Sequence, residues 1–235
     1  MNEVAEPTKL DPGLEAEARA ARAAFSGRPL ERMGIALRAL ARLAQDPNDT
    51  SQVFLLGLSL NARRFPELLT RMLLDDEGLR LLREQPSIDS SAIDYDALRA
   101  LPADTLGGAY VRFLDDNGLD PDTFGAPPAL PSVPAYVAKR LRQSHDLWHV
   151  VTGYGPDVPG EVALQAFTYA VTHMPSARLI ALTGVLRHAL REPRIAGMAL
   201  EGYRRGKRAA FLPTVRWEAL LERPLGEVQS ELGLS

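Results

Sequence analysis

Two of the four histidines in this 235-residue chain stand close together, in the stretch RQSHDLWHVVTGYGPDVPGE. His145 and His149 are four residues apart, so on a helix their imidazoles lie on one face, one turn apart. Asp146 borders that face, and Glu161 follows after a break rich in glycine and proline. Imidazole nitrogen and carboxylate oxygen together suit zinc, iron(II) or manganese better than calcium. The pattern predicts a divalent-metal site at His145, Asp146, His149 and Glu161.

Polar residues also recur at helical spacing around these four, in segments that are otherwise apolar. Such stripes are costly to bury unless they face each other or a ligand. They comprise Arg142, His145, His149 and Thr152 on one helix, and Glu161, Gln165, Thr168 and Thr172 on the next. The spacing therefore predicts two helices whose polar seam holds the metal.

Other interpretations of the histidine pair compete with this one. A pair hydrogen-bonded to acids can serve structure alone. A zinc-protease helix needs glutamate directly after the first histidine, where this chain has Asp146. His-Asp phosphohydrolases need an earlier histidine, and none precedes His145.

Three further residues near the predicted metal are candidates for binding a substrate. Arg142 lies one turn before His145 and could bind a carboxylate with both guanidinium nitrogens. A pairing with Asp146 or Glu161, or a solvated arginine, is the competing interpretation. Tyr154 lies in the loop between the ligands, and Gln165 lies on the polar stripe that follows Glu161.

The composition excludes several classes of protein. The chain has no cysteine, which rules out disulfides, thiolate metal sites and cysteine nucleophiles. A formal net charge of -3 gives no reason to expect nucleic acid as a partner. The start resembles no secretory signal, and no apolar run approaches the ~18 residues of a membrane span. We expect a cytoplasmic protein.

The basic cluster at 204–208 beside Phe211 could rest on an anionic membrane, or be a solvated helix face.

The periodicity is helical almost throughout, which predicts an all-α fold. Residues 1–14 are expected to form a flexible tail, and residues 15–235 a single-domain multi-helix bundle. A loop rich in proline and glycine is expected at 118–134. Helices are predicted at 30–43, 65–82, 105–117, 135–152, 161–174, 176–191, 194–211 and 225–233.

The stretch HDLWHVVTGYGPDVPGE also resembles the signature of the Coq4 family of ubiquinone (coenzyme Q) biosynthesis proteins, His-Asp-x-x-His followed by eleven residues and Glu. Similar segments flank it, LPADTLGGAYVRFLDDNGLDPD at 101–122 and YRRGKRAAFLPTVRWEALLERPLGEVQSELGL at 203–234. The chain is identified on these residues as a member of the family, and is interpreted as a bacterial one.

The resemblance implies an all-α homodimer whose metal, usually zinc, is held by His145, Asp146, His149 and Glu161. Iron(II), manganese and magnesium are the alternatives. The implied substrate is a prenylated quinone precursor or another isoprenoid lipid, at the inner face of the cell membrane and near other ubiquinone-biosynthesis enzymes. The implied reaction is oxidative decarboxylation, with hydroxylation, at C1 of a prenylated 4-hydroxybenzoate-derived ring, with these four residues as the catalytic groups. The alternative is a non-catalytic prenyl-quinone-binding scaffold with a structural metal.

Overall fold

The computed structural model describes residues 12–43, 45, 50–123 and 132–235. Within these ranges the secondary structure is helical, and no strand is present. One isolated bridge joins Thr105 and Pro224. The prediction of an all-α fold is confirmed.

The described residues divide into two compact units. The first contains α1 (Pro12–Ser26), α2 (Pro29–Leu43) and α3 (Thr50–Asn61), with the first residues of α8. Small side chains on α1 let the other two helices pack closely, and the core of this unit comprises Ala21, Ala24, Ile35 and Leu58.

The second unit carries the predicted site. Its helices are α4 (Phe65–Leu73), α5 (Asp76–Glu84), α6 (Tyr95–Arg99), α7 (Leu106–Asn117), α8 (Ser132–Gln143), α9 (His145–Thr152), α10 (Val158–Thr172), α11 (Pro175–His188), α12 (Ile195–Gly206) and α13 (Leu225–Glu231).

Helix α10 is the central element of the second unit. Its Leu164 and Phe167 are fully buried, and the Phe167 ring meets the Trp148 ring of α9 edge-on, with centroids 6.3 Å apart. On another side α10 contacts α12 at Gly202 and Gly206, where glycine lets the two backbones approach closely. The position of α10 is therefore fixed by packing along its length, and Glu161 in its first turn is fixed with it.

Two long helices predicted from the sequence are each interrupted in the structure. The helix predicted over 65–82 breaks after Leu73, because the Asp75 carboxylate accepts a hydrogen bond from the Gly78 amide and starts a new helix. The helix predicted over 135–152 breaks at Ser144, so that α9 begins at His145. The hydrophobic period continues through both breaks, which is why the sequence pattern does not show them.

Most other predicted helices are present with bounds shifted by a few residues. The short helix α6 lies in a stretch for which no helix was predicted. Helix α1 begins at Pro12, inside the predicted tail, and residues 1–11 lie outside the described residues, as does most of the 118–134 loop from 124 to 131. The prediction of one domain over 15–235 stays a prediction.

Candidate metal centre

The two helices of the predicted site begin and end at residues suited to those positions. Gly153 ends α9 with a φ of 72°, a left-handed conformation that glycine adopts without strain. Asp157 caps α10 by accepting a hydrogen bond from the Gly160 amide, and Pro159 stands in the first turn. The turn between them is therefore defined by local chemistry, and it brings the start of α10 back to α9.

Three of the four predicted ligands converge. Ligand atoms of His145, His149 and Glu161 all lie within 4.8 Å of one another, the only such group within the described ranges. The Glu161 Oε2 atom is 3.2 Å from His149 Nε2 and 3.6 Å from His145 Nε2. The two imidazole rings meet edge-on, with centroids 4.9 Å apart. The structure thus brings together two nitrogen donors and one oxygen donor.

The orientation of His149 is set by a backbone group. Its Nδ1 lies 2.8 Å from the carbonyl oxygen of Tyr154, which can only accept, so Nδ1 carries the hydrogen. The ring also stacks on Phe113, at a centroid distance of 5.3 Å and an interplanar angle of 21°. This leaves Nε2 as the ring atom that faces Glu161 and could bind a cation.

The orientation of Glu161 is set by Gln165, one turn further along α10. The Gln165 Nε2 group donates a 2.8 Å hydrogen bond to Glu161 Oε1. This leaves the other carboxylate oxygen, Oε2, facing the two imidazoles. Gln165 was predicted to contact a substrate, and that role stays a prediction; the structure shows its amide bonded to a metal-ligand candidate.

The carboxyl of Glu161 and the imidazole of His145 shift each other's pKa. Burial raises the pKa of the Glu161 carboxyl, but the neighbouring imidazoles of His145 and His149, with the Gln165 amide, outweigh it and hold this pKa far below its ordinary value. Burial lowers the pKa of His145, yet the hydrogen bond and charge of Glu161 raise it overall. The site therefore favours an anionic carboxylate beside positive charge.

This donor set fits a divalent cation. His149 Nε2 and the Glu161 carboxylate face each other at 3.2 Å, an arrangement that is favourable only with a proton or a cation between the two atoms. The His149 side chain is only 3% exposed, whereas His145 and Glu161 are 32% and 35% exposed. A cation here would be anchored on the buried side and accessible on the other, as a catalytic site requires.

The remaining predicted site residues lie around this group. Asp146 is half-buried and outside the convergent set; burial raises its pKa, while His145 and His149 act in the opposite direction. Arg142 is half-buried in the last turn of α8, and burial lowers the pKa of its guanidinium. The Tyr154 ring is buried in the core, with the Arg205 guanidinium 5.2 Å from its centroid. Their substrate and ligand roles stay predictions.

Two contributions to the site could not be predicted from side-chain patterns. The Tyr154 carbonyl that orients His149 is a backbone group, so no residue type signals it. Phe113 lies on α7, more than thirty positions earlier, and its only signal is its place on the inward face of that helix.

Known proteins resemble this chain over most of its length. The sequence model of Coq4, the coenzyme Q (ubiquinone) biosynthesis protein, matches residues 24–235. The mitochondrial ubiquinone biosynthesis protein COQ4 of Eremothecium gossypii is 37% identical over 193 residues, which cover 80% of this chain and 59% of that protein. The COQ4 protein of Arthroderma otae is 34% identical, covering 88% of this chain and 78% of its own length. The mouse COQ4 homologue is 31% identical, covering 88% and 79%.

A solved structure agrees with this assignment. The crystal structure of a protein from Nostoc punctiforme, provisionally named a ubiquinone biosynthesis protein, superposes with a TM-score of 0.70 at 25% identity. The superposition covers 87% of this chain and 97% of that one. The family match over residues 24–235, the identity to the fungal and mouse proteins and the shared helical fold lead to one conclusion: this chain belongs to the Coq4 family of ubiquinone biosynthesis proteins.

Proposed function

We propose that this chain is a metal-dependent enzyme of ubiquinone biosynthesis, which replaces the C1 carboxyl group of a prenylated 4-hydroxybenzoate-derived ring with a hydroxyl group. The observation that carries the proposal is the convergence of His145, His149 and Glu161 on one partly exposed position, in a member of the Coq4 family. A purely structural metal would be expected to have a closed ligand shell.

In this proposal the chain's own residues hold and orient the reacting groups. His145, His149 and Glu161 bind the metal, with Asp146 as a further ligand or catalytic group. The metal, when bound, supplies a Lewis acid that stabilises negative charge on ring oxygens. Arg142 binds the substrate carboxylate, because its guanidinium suits bidentate pairing. Zinc is the proposed metal, and iron(II), manganese and magnesium are the alternatives.

The reaction requires an oxidant. Loss of the carboxyl group as carbon dioxide and gain of a hydroxyl group at the same carbon removes two electrons from the ring. Zinc does not change oxidation state, so oxygen or another electron acceptor must take these electrons. The same proposal includes a lipid substrate, a homodimer, contact with other ubiquinone-biosynthesis enzymes and a peripheral membrane location.

The first test is the metal content of the purified, tag-free protein, measured by mass spectrometry beside two histidine variants. We expect near-stoichiometric divalent metal that is lost in His149→Ala, because His149 is the buried ligand. His188→Ala is the matched control, since it replaces a histidine at the end of α11, outside the site, and should retain the metal. Well-folded native protein without metal, or equal metal in both variants, would contradict the proposal.

The second test separates the enzyme from the scaffold. Glu161→Gln should keep the fold and any co-purifying prenylated lipid but stop conversion of the C1 carboxyl group. Product formation is followed by mass spectrometry of the organic extract. If native, metal-loaded protein binds the lipid and never forms product, the scaffold function with a structural metal replaces the enzyme.

A further inference from the structure

Helix α11 presents its large apolar side chains outward and its small ones inward. Ala177 and Ala181 are buried, and a Cβ atom on Gly184 would lie 2.3 Å from the side chain of Val162 on α10. By contrast, Leu186 is 81% exposed and Leu190, just beyond the helix, is 98% exposed. A helix that packs only against its own protein shows the opposite arrangement.

The exposed leucines form one continuous surface. They recur at intervals of three or four residues, which places them on one side of the helix, opposite Ala177 and Ala181. We call this surface the apolar ridge; it comprises Leu179, Leu182, Leu186 and Leu190, all exposed.

Positive charges accompany the ridge, and negative charges are missing from it. Arg178 precedes Leu179 and Arg187 follows Leu186, so the two arginines lie on opposite flanks of the ridge, and both are exposed. Arg191 is exposed at its end. From Val162 to Arg191 the sequence contains no aspartate or glutamate, although the whole chain is net negative. The charged side chains along α11 are therefore all positive, and the next acid in the chain, Glu192, lies 2.9 Å from Arg194.

We propose that the apolar ridge and its flanking arginines are the surface by which this chain lies on an anionic lipid bilayer. The leucines would enter the boundary between headgroups and acyl chains, while the arginines reach lipid phosphates on either side. Within the described ranges no helix is long and apolar enough to cross a membrane. The 14 residues of α11 span about 21 Å, less than the ~30 Å of a hydrocarbon core, so the helix would lie along the surface.

A bilayer fits this surface better than a second copy of the chain does. A symmetric pair joined through the leucines would bring the flanking arginines of both copies into one interface, and like charges repel. Anionic lipid supplies the opposite charge. This inference rests on the peripheral membrane location in the proposed function and names the surface that makes the contact; docking requires neither the metal nor turnover, so the lipid contact and the enzymatic activity can fail separately.

The test is partition of the full chain into vesicles, followed by flotation. We expect binding to vesicles of phosphatidylcholine with phosphatidylserine, and binding at least about tenfold weaker to phosphatidylcholine alone or at high salt. The double variant Leu186→Ser with Leu190→Ser should lower the partition coefficient at least about tenfold, because it removes the most exposed leucines. Both are almost fully exposed, so folding should be unaffected.

A matched control uses the same replacement elsewhere. Leu30→Ser with Leu37→Ser changes two exposed leucines on α2 and should leave partition unchanged. His149→Ala should also keep vesicle binding; its loss there would place lipid contact at the metal centre and overturn the assignment to α11. Equal binding by the ridge variant and the native chain would overturn the proposal. So would a ridge variant that changes oligomeric state but not lipid binding.

Discussion

His149 and Glu161 are each held by a neighbour that is not itself a ligand. The Tyr154 carbonyl fixes the tautomer of His149, and the Gln165 amide turns one carboxylate oxygen of Glu161 toward the imidazoles. Such outer-sphere hydrogen bonds determine how well a site is prepared for its metal.

We therefore predict that Gln165→Met lowers the affinity for divalent metal about tenfold, the lower end of the range for lost outer-sphere groups. Methionine has a similar length but cannot donate a hydrogen bond, so Glu161 would rotate freely. Competitive titration with a metal-binding dye measures the affinity. Thr168→Val is the control, because the Thr168 hydroxyl has no hydrogen-bond partner within the described ranges. Unchanged affinity in Gln165→Met would show that Gln165 acts only by packing.

The residue types of the centre could be predicted from sequence, but their contacts could not. His145, His149 and Glu161 were signalled by type and spacing. Gln165 was signalled only as a polar residue on the same stripe, which does not distinguish a substrate contact from a hydrogen bond to Glu161. That distinction depends on side-chain rotamers, which periodicity does not encode.

The presence of most helices could be predicted from the sequence, but the interruptions within two of them could not. The interruptions at Asp75 and Ser144 lie within continuous hydrophobic periods, and the first depends on a single capping hydrogen bond. The break at Ser144 matters for the site, because it makes His145 the first residue of α9 rather than an interior one.

Close packing of α12 on α10 leads to a prediction with an internal control. A Cβ atom on Gly202 would lie 2.2 Å from the Ala163 carbonyl oxygen, whereas one on Gly197 would meet nothing within 4 Å. Gly202→Ala should lower the free energy of unfolding by about 2 kcal/mol, because the backbone of α10 or of α12 must shift to make room for the methyl group. Gly197→Ala, on the same helix, should raise it by about 0.5 kcal/mol through helix propensity. Denaturant unfolding measures both. Equal effects would show that α10 and α12 are packed less closely than described.

At the scale of the whole molecule, stability in acid should depend on a carboxylate outside the convergent metal-ligand candidates. Asp89, in the segment between α5 and α6, binds Lys139 of α8 at 2.7 Å and accepts hydrogen bonds from Ser87 and Gln143. Burial raises the pKa of Asp89, but the hydrogen bonds of Lys139 and the neighbouring serines hold it well below its ordinary value.

The lowered pKa fixes the sign of the pH dependence. The contribution of Asp89 is complete well above the unfolded-state pKa of about 3.9, and is lost as pH falls toward the lower folded-state pKa. Asp89→Asn should cost about 1 kcal/mol at neutral pH, a modest value because solvent partly screens the pair. The difference from the native chain should shrink below about pH 4. Denaturant unfolding at several pH values measures this difference in the free energy of unfolding.

The control is Asp96→Asn, at an exposed ion pair, which should change the free energy of unfolding little. A cost for Asp89→Asn that persists undiminished in acid would contradict the assignment.

The convergent ligand candidates all come from a span of 17 residues, His145 to Glu161, joined by one short turn. Closing a short loop costs little chain entropy, and local contacts form early in folding. The metal centre should therefore assemble as soon as α9 and α10 meet, before distant parts of the chain are in place. A cation present during folding could then stabilise this pair of helices first and act as a template for the rest of the second unit.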